Sequence, residues 1–262
     1  MRAAARGAGT PMKFEQLDRR MRVFETAHDH CVLPGVYMVA RIDGRSFSHL
    51  TRVAHAFDAP YDERFRDCMV AALEHLMGCG FAVTYGYTQS DEISLLFRRD
   101  ESLFGRKLRK YLSVLAGEAS AAFSLRLGAP AAFDSRISQL PSEADVVDYF
   151  RWRNEDAHRN ALNGHCYWLL RRQGLDDAAA TRRLDGVSVA ARNELLFQHG
   201  IQFNELPNWQ KRGIGAYWET STEEGRDPRT DAPVLSTRRR LRIDFDLPMK
   251  ESYEAFVRAR IG

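Results

Sequence analysis

Val36-Tyr37-Met38-Val39-Ala40-Arg41-Ile42-Asp43-Gly44-Arg45-Ser46-Phe47 opens as a β-branched and aromatic run and closes on an acid-glycine turn. Pro34-Gly35 leads into it and Gly44 breaks it, so the apolar part is predicted to be a buried strand with Asp43 at its end. Upstream, Phe14, Leu17, Met21 and Phe24 recur at three- and four-residue steps, one face of a short helix. Downstream, Tyr61, Phe65, Met69, Leu73 and Met77 keep a helical stripe that Gly78 and Gly80 end. Phe81 to Tyr87 and Glu92 to Phe97 flank a tight turn around Thr88-Gln89-Ser90, which reads as a hairpin. Leu103 to Phe123 carries a long helical stripe, Gly128-Ala129-Pro130 stops it, and Ala131 to Ile137 is strand-like. The class is α+β, and the order β-α-β-β-α-β is the split βαβ, ferredoxin-like arrangement. Its first and third strands lie side by side and antiparallel in the middle of the sheet.

Pro141-Ser142 marks a boundary, with Ser142 placed to cap a helix through Tyr149, Phe150 and Trp152 toward Trp168-Leu169-Leu170. The helical reading continues to about Gly200, interrupted at Gly174 and Gly186, and a late strand pair is expected near Gly215–Trp218 and Leu241–Phe245. Between those strands Glu219 to Ser236 is polar with two prolines and is expected to be a mobile loop. The expected organisation is a disordered extension over 1–12, a palm-like catalytic unit over 13–140 and a mostly helical part over 141–262. The 262 residues are 44% hydrophobic and 28% charged, which excludes a disordered or collagen-like chain. A net charge of +3 tolerates nucleic acid as a partner without demanding it. Cys31, Cys68, Cys79 and Cys166 show no metal-ligand cadence, and no apolar run approaches a membrane span, so a reduced, cytoplasmic chain is expected.

If the first and third strands are antiparallel neighbours, the end of one meets the start of the other, and Asp43 meets Asp91 and Glu92. Carboxylates that close raise one another's pKa unless a cation sits between them. Mg²⁺ favours a few carboxylate oxygens together with phosphates and waters. Two such ions about 3.5–4 Å apart hold the attacking and leaving oxygens of a phosphoryl or nucleotidyl transfer. Gly44 has no Cβ to keep a metal or triphosphate from the backbone, and Arg45-Ser46-Phe47-Ser48 offers phosphate donors. Arg106 and Lys110, one helical turn apart in a cationic stretch, are candidates for contact with a triphosphate or an RNA 5′ phosphate. Arg238-Arg239-Arg240 and Arg242 read equally as an RNA phosphate patch or a solubilising edge strand.

Arg41-Ile42-Asp43-Gly44-Arg45-Ser46-Phe47, Tyr85-Gly86-Tyr87-Thr88-Gln89-Ser90-Asp91-Glu92-Ile93-Ser94, Phe133-Asp134-Ser135-Arg136 and Asp148-Tyr149-Phe150-x-Trp152-Arg153-Asn154-x-Asp156-x-His158 together resemble the tRNA(His) guanylyltransferase family. The match runs in consistent order from about Met12 to Trp218 and includes Asn193-Glu194-Leu195-Leu196-Phe197. The resemblance implies a polymerase-type palm that binds two Mg²⁺ and adds nucleotides to the 5′ end of tRNA. The end is activated with ATP or arrives as a triphosphate, and the 3′ hydroxyl of incoming GTP attacks its α-phosphate. By resemblance Asp43 and Asp91 bind both metals, Gly44 adds its carbonyl, and Glu92 supports the site. Asp43, Gly44, Arg45, Ser46, Phe47, Ser48, Ser90 and Asp91 contact the nucleoside triphosphate. Arg136, His158, Asn160, Arg192 and Asn193 are weaker candidates for contact with tRNA or a second nucleotide.

Two departures bear on specificity. Eukaryotic members carry Lys-Pro-Asn-Asp where this chain has Ala59-Pro60-Tyr61-Asp62, and His-Ile-Asn-Asn where it reads His158-Arg159-Asn160-Ala161. The chain is therefore similar to the bacterial and archaeal branch, which repairs 5′-truncated tRNA by templated addition, more than to enzymes dedicated to tRNA(His). A non-catalytic RNA-binding palm and a nucleotide cyclase are the alternatives from other classes. The resemblance also implies a homotetramer and no membrane partner.

Overall fold

The computed structural model describes residues 13–226, 229 and 233–262. In chain order the elements begin with α1 (Phe14–Thr26), β1 (Tyr37–Gly44), a short α2 (Phe47–His49) that runs into a π-helical turn (Leu50–Ala54), and α3 (Glu63–Gly78). They continue through β2 (Val83–Gln89), β3 (Glu92–Phe97), α4 (Leu108–Leu127), β4 (Phe133–Leu140) and α5 (Glu143–Arg172). The chain then forms α6 (Asp177–Leu184), α7 (Val189–Phe197), α8 (Asn208–Arg212), β5 (Ile214–Arg226), β6 (Pro233–Asp244) and α9 (Lys250–Arg258).

The sheet order is β4-β1-β3-β2-β5-β6. As expected, β1 and β3 are antiparallel neighbours inside the first four strands, in a register that sets Asp43 opposite Glu92. Both faces of β1 are covered, which is why Val36 to Ile42 reads as a continuous apolar run rather than an alternation. Met38, Ala40 and Ile42 pack with Leu73 of α3 and Phe123 of α4 on one face. Tyr37 and Val39 pack with Val146, Val147 and Phe150 of α5 and with Tyr253 of α9 on the other. Ser142 caps the thirty-residue α5 in a reciprocal box with Asp145. The far half of that helix builds a third cluster, in which Leu162 and Cys166 meet Leu184 of α6 and Leu196 of α7.

Glu219 to Ser236 differs from expectation. Apart from Arg229, in a turn, its described residues are strand: β5 and β6 continue as a long ribbon in which Glu219 pairs with Arg240 and Arg226 with Pro233. A ribbon with exposed residues on both faces, such as Glu219 to Thr222, carries no apolar alternation from which to read it. Residues 227, 228 and 230–232 of that stretch, and the expected disordered extension over 1–12, lie outside the described residues. The helix expected from Phe14 to Phe24 is present, yet its stripe is uncovered, with Phe14 75% and Phe24 72% exposed. The second half of the chain also extends the sheet, because β5 pairs with β2. No helix among the described residues is long and apolar enough to cross a membrane.

Candidate active site

The strand register brings the acidic residues together. Asp43 sits opposite Glu92, and the Gly44 N–H donates to the Asp91 carbonyl at 3.0 Å. Ser90, at φ 48°, turns the hairpin, and its hydroxyl donates to Asp91 Oδ1 at 3.0 Å. Guanidinium groups neutralise the rest of the cluster. Arg41 Nη2 lies 2.8 Å from Glu92 Oε1 and 3.2 Å from Asp43 Oδ2, while Arg136 Nη2 approaches Asp43 at 3.5 Å. From α5, the buried Arg153 reaches Glu92 Oε2 at 3.5 Å and Asp156, and it lies over the Trp152 ring at 4.2 Å. Burial raises the Asp91 carboxyl above its ordinary value, with the Ser90 hydroxyl opposing. Burial likewise pushes Glu92 up, against the pull of Arg153 and Arg41.

Beside Asp91 opens a cavity of about 220 Å³. Its lining includes Ser48, Ser90 and Asp91 and the rings of Phe57, Trp168 and Trp209. Phe47, expected against a triphosphate, is instead a core side chain with one edge on this cavity. It packs 5.0 Å from Phe123 and 4.9 Å from Phe133, centroid to centroid. That corrects the reading of Gly44 as well: the space its missing Cβ leaves is filled by the Phe47 ring, and a Cβ there would sit 2.5–2.7 Å from three ring carbons. Gly44→Ala is therefore expected to destabilise the fold by ~1–3 kcal/mol through overpacking, read as a lowered urea midpoint. An unchanged midpoint would show that the ring moves aside freely. Ser46 holds a left-handed conformation at φ 60°, Ser46 and Ser48 are exposed, and the exposed Arg45 side chain pairs with none of the described residues.

The other expected contacts divide. Arg136 is at the site, and Asn160, exposed on α5, donates to Asp156 at 3.1 Å. His158 is half-buried with its ring 5.3 Å from that of Phe203. Burial holds its imidazole below the ordinary value, helped by Arg212 and Lys211. Arg106 and Lys110 are a correction. Arg106 is buried and donates to the carbonyls of Arg99 (3.2 Å), Glu101 (3.1 Å) and Val36 (2.6 Å), which places it at the end of β1 remote from Asp43, ~23 Å away at strand rise. The helical stripe begins at Leu108, and positive φ at Phe104, Gly105 and Arg106 turns the guanidinium inward. Lys110 lies at that same end, over the Phe104 ring at 5.5 Å. Arg192 and Asn193 bond to the carbonyls of Leu184 (3.0 Å) and Val189 (2.9 Å), and α7 meets α5 near Cys166, ~20 Å along that helix from Arg153. These four residues are not brought to the carboxylates.

Sequence reading missed Arg41, Arg153 and Asp156 as the cationic and acidic frame, and Tyr61, Trp168 and Trp209 as cavity wall. Arg41 was within reach, since two positions before Asp43 on a strand means the same face. Nothing local marks Trp209. The residues present fit a divalent cation. Among the described residues Asp91 has no cationic partner within ion-pair distance, and Glu92 Oε2 is buried without a hydrogen bond. No three His, Cys, Asp or Glu side chains among the described residues close around an ion by themselves. That donor set suits Mg²⁺, which keeps waters and substrate phosphates in its shell.

Family profiles match most of the chain: one described as "tRNAHis guanylyltransferase" over residues 18–141, and one described as "Thg1 C terminal domain" over 144–246. A Drosophila melanogaster protein named "Probable tRNA(His) guanylyltransferase" is 35% identical, across 71% of this chain and 68% of its own. A bacterial tRNA(His) guanylyltransferase-like protein solved in complex with GTP superposes with a TM-score of 0.69 at 25% identity, covering 94% of this chain and 98% of that one. Another, solved with ATP, shares the fold with a TM-score of 0.71 at 23% identity, over 94% and 99%.

Proposed function

Because the chain belongs to the tRNA(His) guanylyltransferase family, a family of nucleotidyltransferases, we propose that it is a 3′-to-5′ polymerase that repairs 5′-truncated tRNA by templated addition. The observation that carries this reading is the abutment of Asp43 with Asp91 and Glu92 at the ends of β1 and β3, beside a cavity lined by Ser48, Ser90 and Asp91. Asp43, Asp91 and the Gly44 carbonyl hold two Mg²⁺. When bound, these ions lower the pKa of the attacking 3′ hydroxyl and stabilise charge on the transferred phosphorus. The chain's own groups position the reactants. The cavity takes the nucleoside triphosphate, with Arg45, Ser46, Ser48 and Ser90 near its phosphates. Arg41 and Arg153 pair with Glu92 and hold it in place, and Arg136, His158 and Asn160 lie toward the RNA end. ATP activates the 5′ end before GTP or another nucleotide is added. Residues 13–140 form the catalytic palm, 141–262 support it, and the enzyme works in the cytoplasm as a homotetramer.

Ala59 and Tyr61, in place of the Lys and Asn of the eukaryotic branch, favour templated repair. The names of the relatives favour a second reading, dedicated addition of the extra 5′ G to tRNA(His). Incubating the protein with ATP and 5′-labelled tRNA lacking its first nucleotide, with each other triphosphate added in turn and with or without Mg²⁺, separates the two. Extension by the nucleotide complementary to the 3′ strand, only with Mg²⁺, is expected. Extension of tRNA(His) alone, by G whatever the template, would replace repair with the second reading. RNA binding without extension would leave a non-catalytic palm.

A further inference from the structure

The cavity beside Asp91 has a wall that the chemistry above does not use. Tyr61, just ahead of α3, lies against His165 of α5, with centroids 5.5 Å apart and planes at 32°, and edge-on to Trp209 of α8 at 5.7 Å. His165 is itself fixed, with Nε2 3.2 Å from the Gln210 side-chain oxygen and its ring 6.2 Å from that of Phe203. Residues of two helices therefore hold the Tyr61 ring from two directions.

Many polar groups around this wall are already engaged. The hydroxyls of Thr51 and Thr88 donate to the carbonyls of Phe47 and Glu92, each at 2.8 Å. The Asp62 carboxylate accepts from the backbone of Asp58 and from Arg64. Arg66 pairs with Glu63 and Asp67 while lying over Trp209 at 4.9 Å. The Tyr61 hydroxyl, by contrast, bonds to none of the described residues, and burial alone raises its phenol above the ordinary value. It is a neutral O–H that can both donate and accept at physiological pH. Tyr61 is only half-buried and lines the cavity, so its unpartnered hydroxyl is open to a ligand rather than sealed in the core. The cavity sets aromatic rings beside polar side chains such as Ser48, Gln89 and Ser90, the mixture by which ligand sites fix orientation.

We propose that Tyr61 is a specificity-determining residue whose hydroxyl hydrogen-bonds to the base edge of the nucleoside triphosphate in this cavity. The inference rests on the function proposed above. Phe57, Trp168 and Trp209, each with an arginine over one face, line the same cavity as Ser48, Ser90 and Asp91. A single phenol can donate to a ring nitrogen or carbonyl oxygen and accept from an exocyclic amine. It therefore ranks bases without excluding any, which suits an enzyme whose template makes the final choice.

Tyr61→Phe removes the hydroxyl and keeps the ring, so the fold is expected to be unchanged. Binding of GTP, ATP, CTP and UTP to the full-length protein, without tRNA, is followed by tryptophan fluorescence, with inorganic tripolyphosphate as the base-free control. For at least one nucleotide Kd is expected to rise about three- to tenfold, the rise differing among the bases and absent for tripolyphosphate. In steady-state addition the same variant raises KM for that nucleotide with kcat held. Equal affinities of variant and wild type for all four nucleotides, or a rise shared with tripolyphosphate, would overturn the role of Tyr61 and leave the enzymatic reading intact. A wild-type protein that binds no triphosphate would overturn both.

Discussion

On the proposed metal assignment, Asp43→Ala is expected to abolish nucleotide addition, lowering the single-turnover rate by on the order of 10³-fold or more, while the urea unfolding midpoint stays near that of the wild type. Asp43 ends β1 at the junction of three strands, opposite Glu92 on one side and Asp134 on the other. No neighbouring carboxylate can take over its position: Asp91 is at the hairpin turn, and Glu92 is held by Arg41 and Arg153. If Asp43 holds ions as proposed, its loss removes transition-state stabilisation rather than packing. Its partners Arg41 and Arg136 are left with Glu92 and Asp134, so no guanidinium is stranded. Asp134→Ala is the control. Asp134 is the register partner of Asp43 on β4, but its side chain is 63% exposed, and its loss is expected to leave the rate within a few fold. Retention of more than a few per cent of activity by Asp43→Ala would remove it from the metal site.

The second large effect falls on stability. Arg153 is 5% exposed in its side chain, bridges Glu92 and Asp156, and rests on Trp152. Arg153→Met keeps much of the side chain's length and its contact with the indole but removes the charge, which leaves Glu92 Oε2 buried with neither a hydrogen bond nor a second cation. Breaking a buried pair from one side costs about 3–5 kcal/mol, because the remaining charge stays desolvated. Adding Glu92→Gln to Arg153→Met is expected to recover part of that loss, and a double-mutant cycle in urea measures the coupling directly. Additive effects would show that Arg153 acts only through Asp156 and the α5 surface.

How far the site could be read from sequence depended on whether each signal was local. The β1 run, the hairpin around Ser90 and the cap at Ser142 carry their own turn and burial chemistry, and the meeting of Asp43 with Glu92 followed from strand order alone. Arg106 misled because helical spacing says nothing of the positive φ values just before α4, which point its guanidinium at three carbonyls. The inner part of the β5–β6 ribbon matched the pair expected near Gly215–Trp218 and Leu241–Phe245, whereas its outer part was opaque because a strand pair with exposed faces shows no burial period. Tyr61 and His165 lie a hundred positions apart, and only packing of α5 against the start of α3 makes them neighbours.

The pairing of β2 with β5 also has a consequence for biosynthesis. Four strands are complete once Leu140 has left the ribosome, but the rim of β2 has no partner until the stretch from Ile214 to Tyr217 emerges, some seventy residues later. During that interval a nascent chain offers an open strand, and the apolar surface that α9 will cover, to any neighbour on the polysome. Order of emergence thus makes the last third of the polypeptide a guard against aggregation as well as a part of the finished sheet.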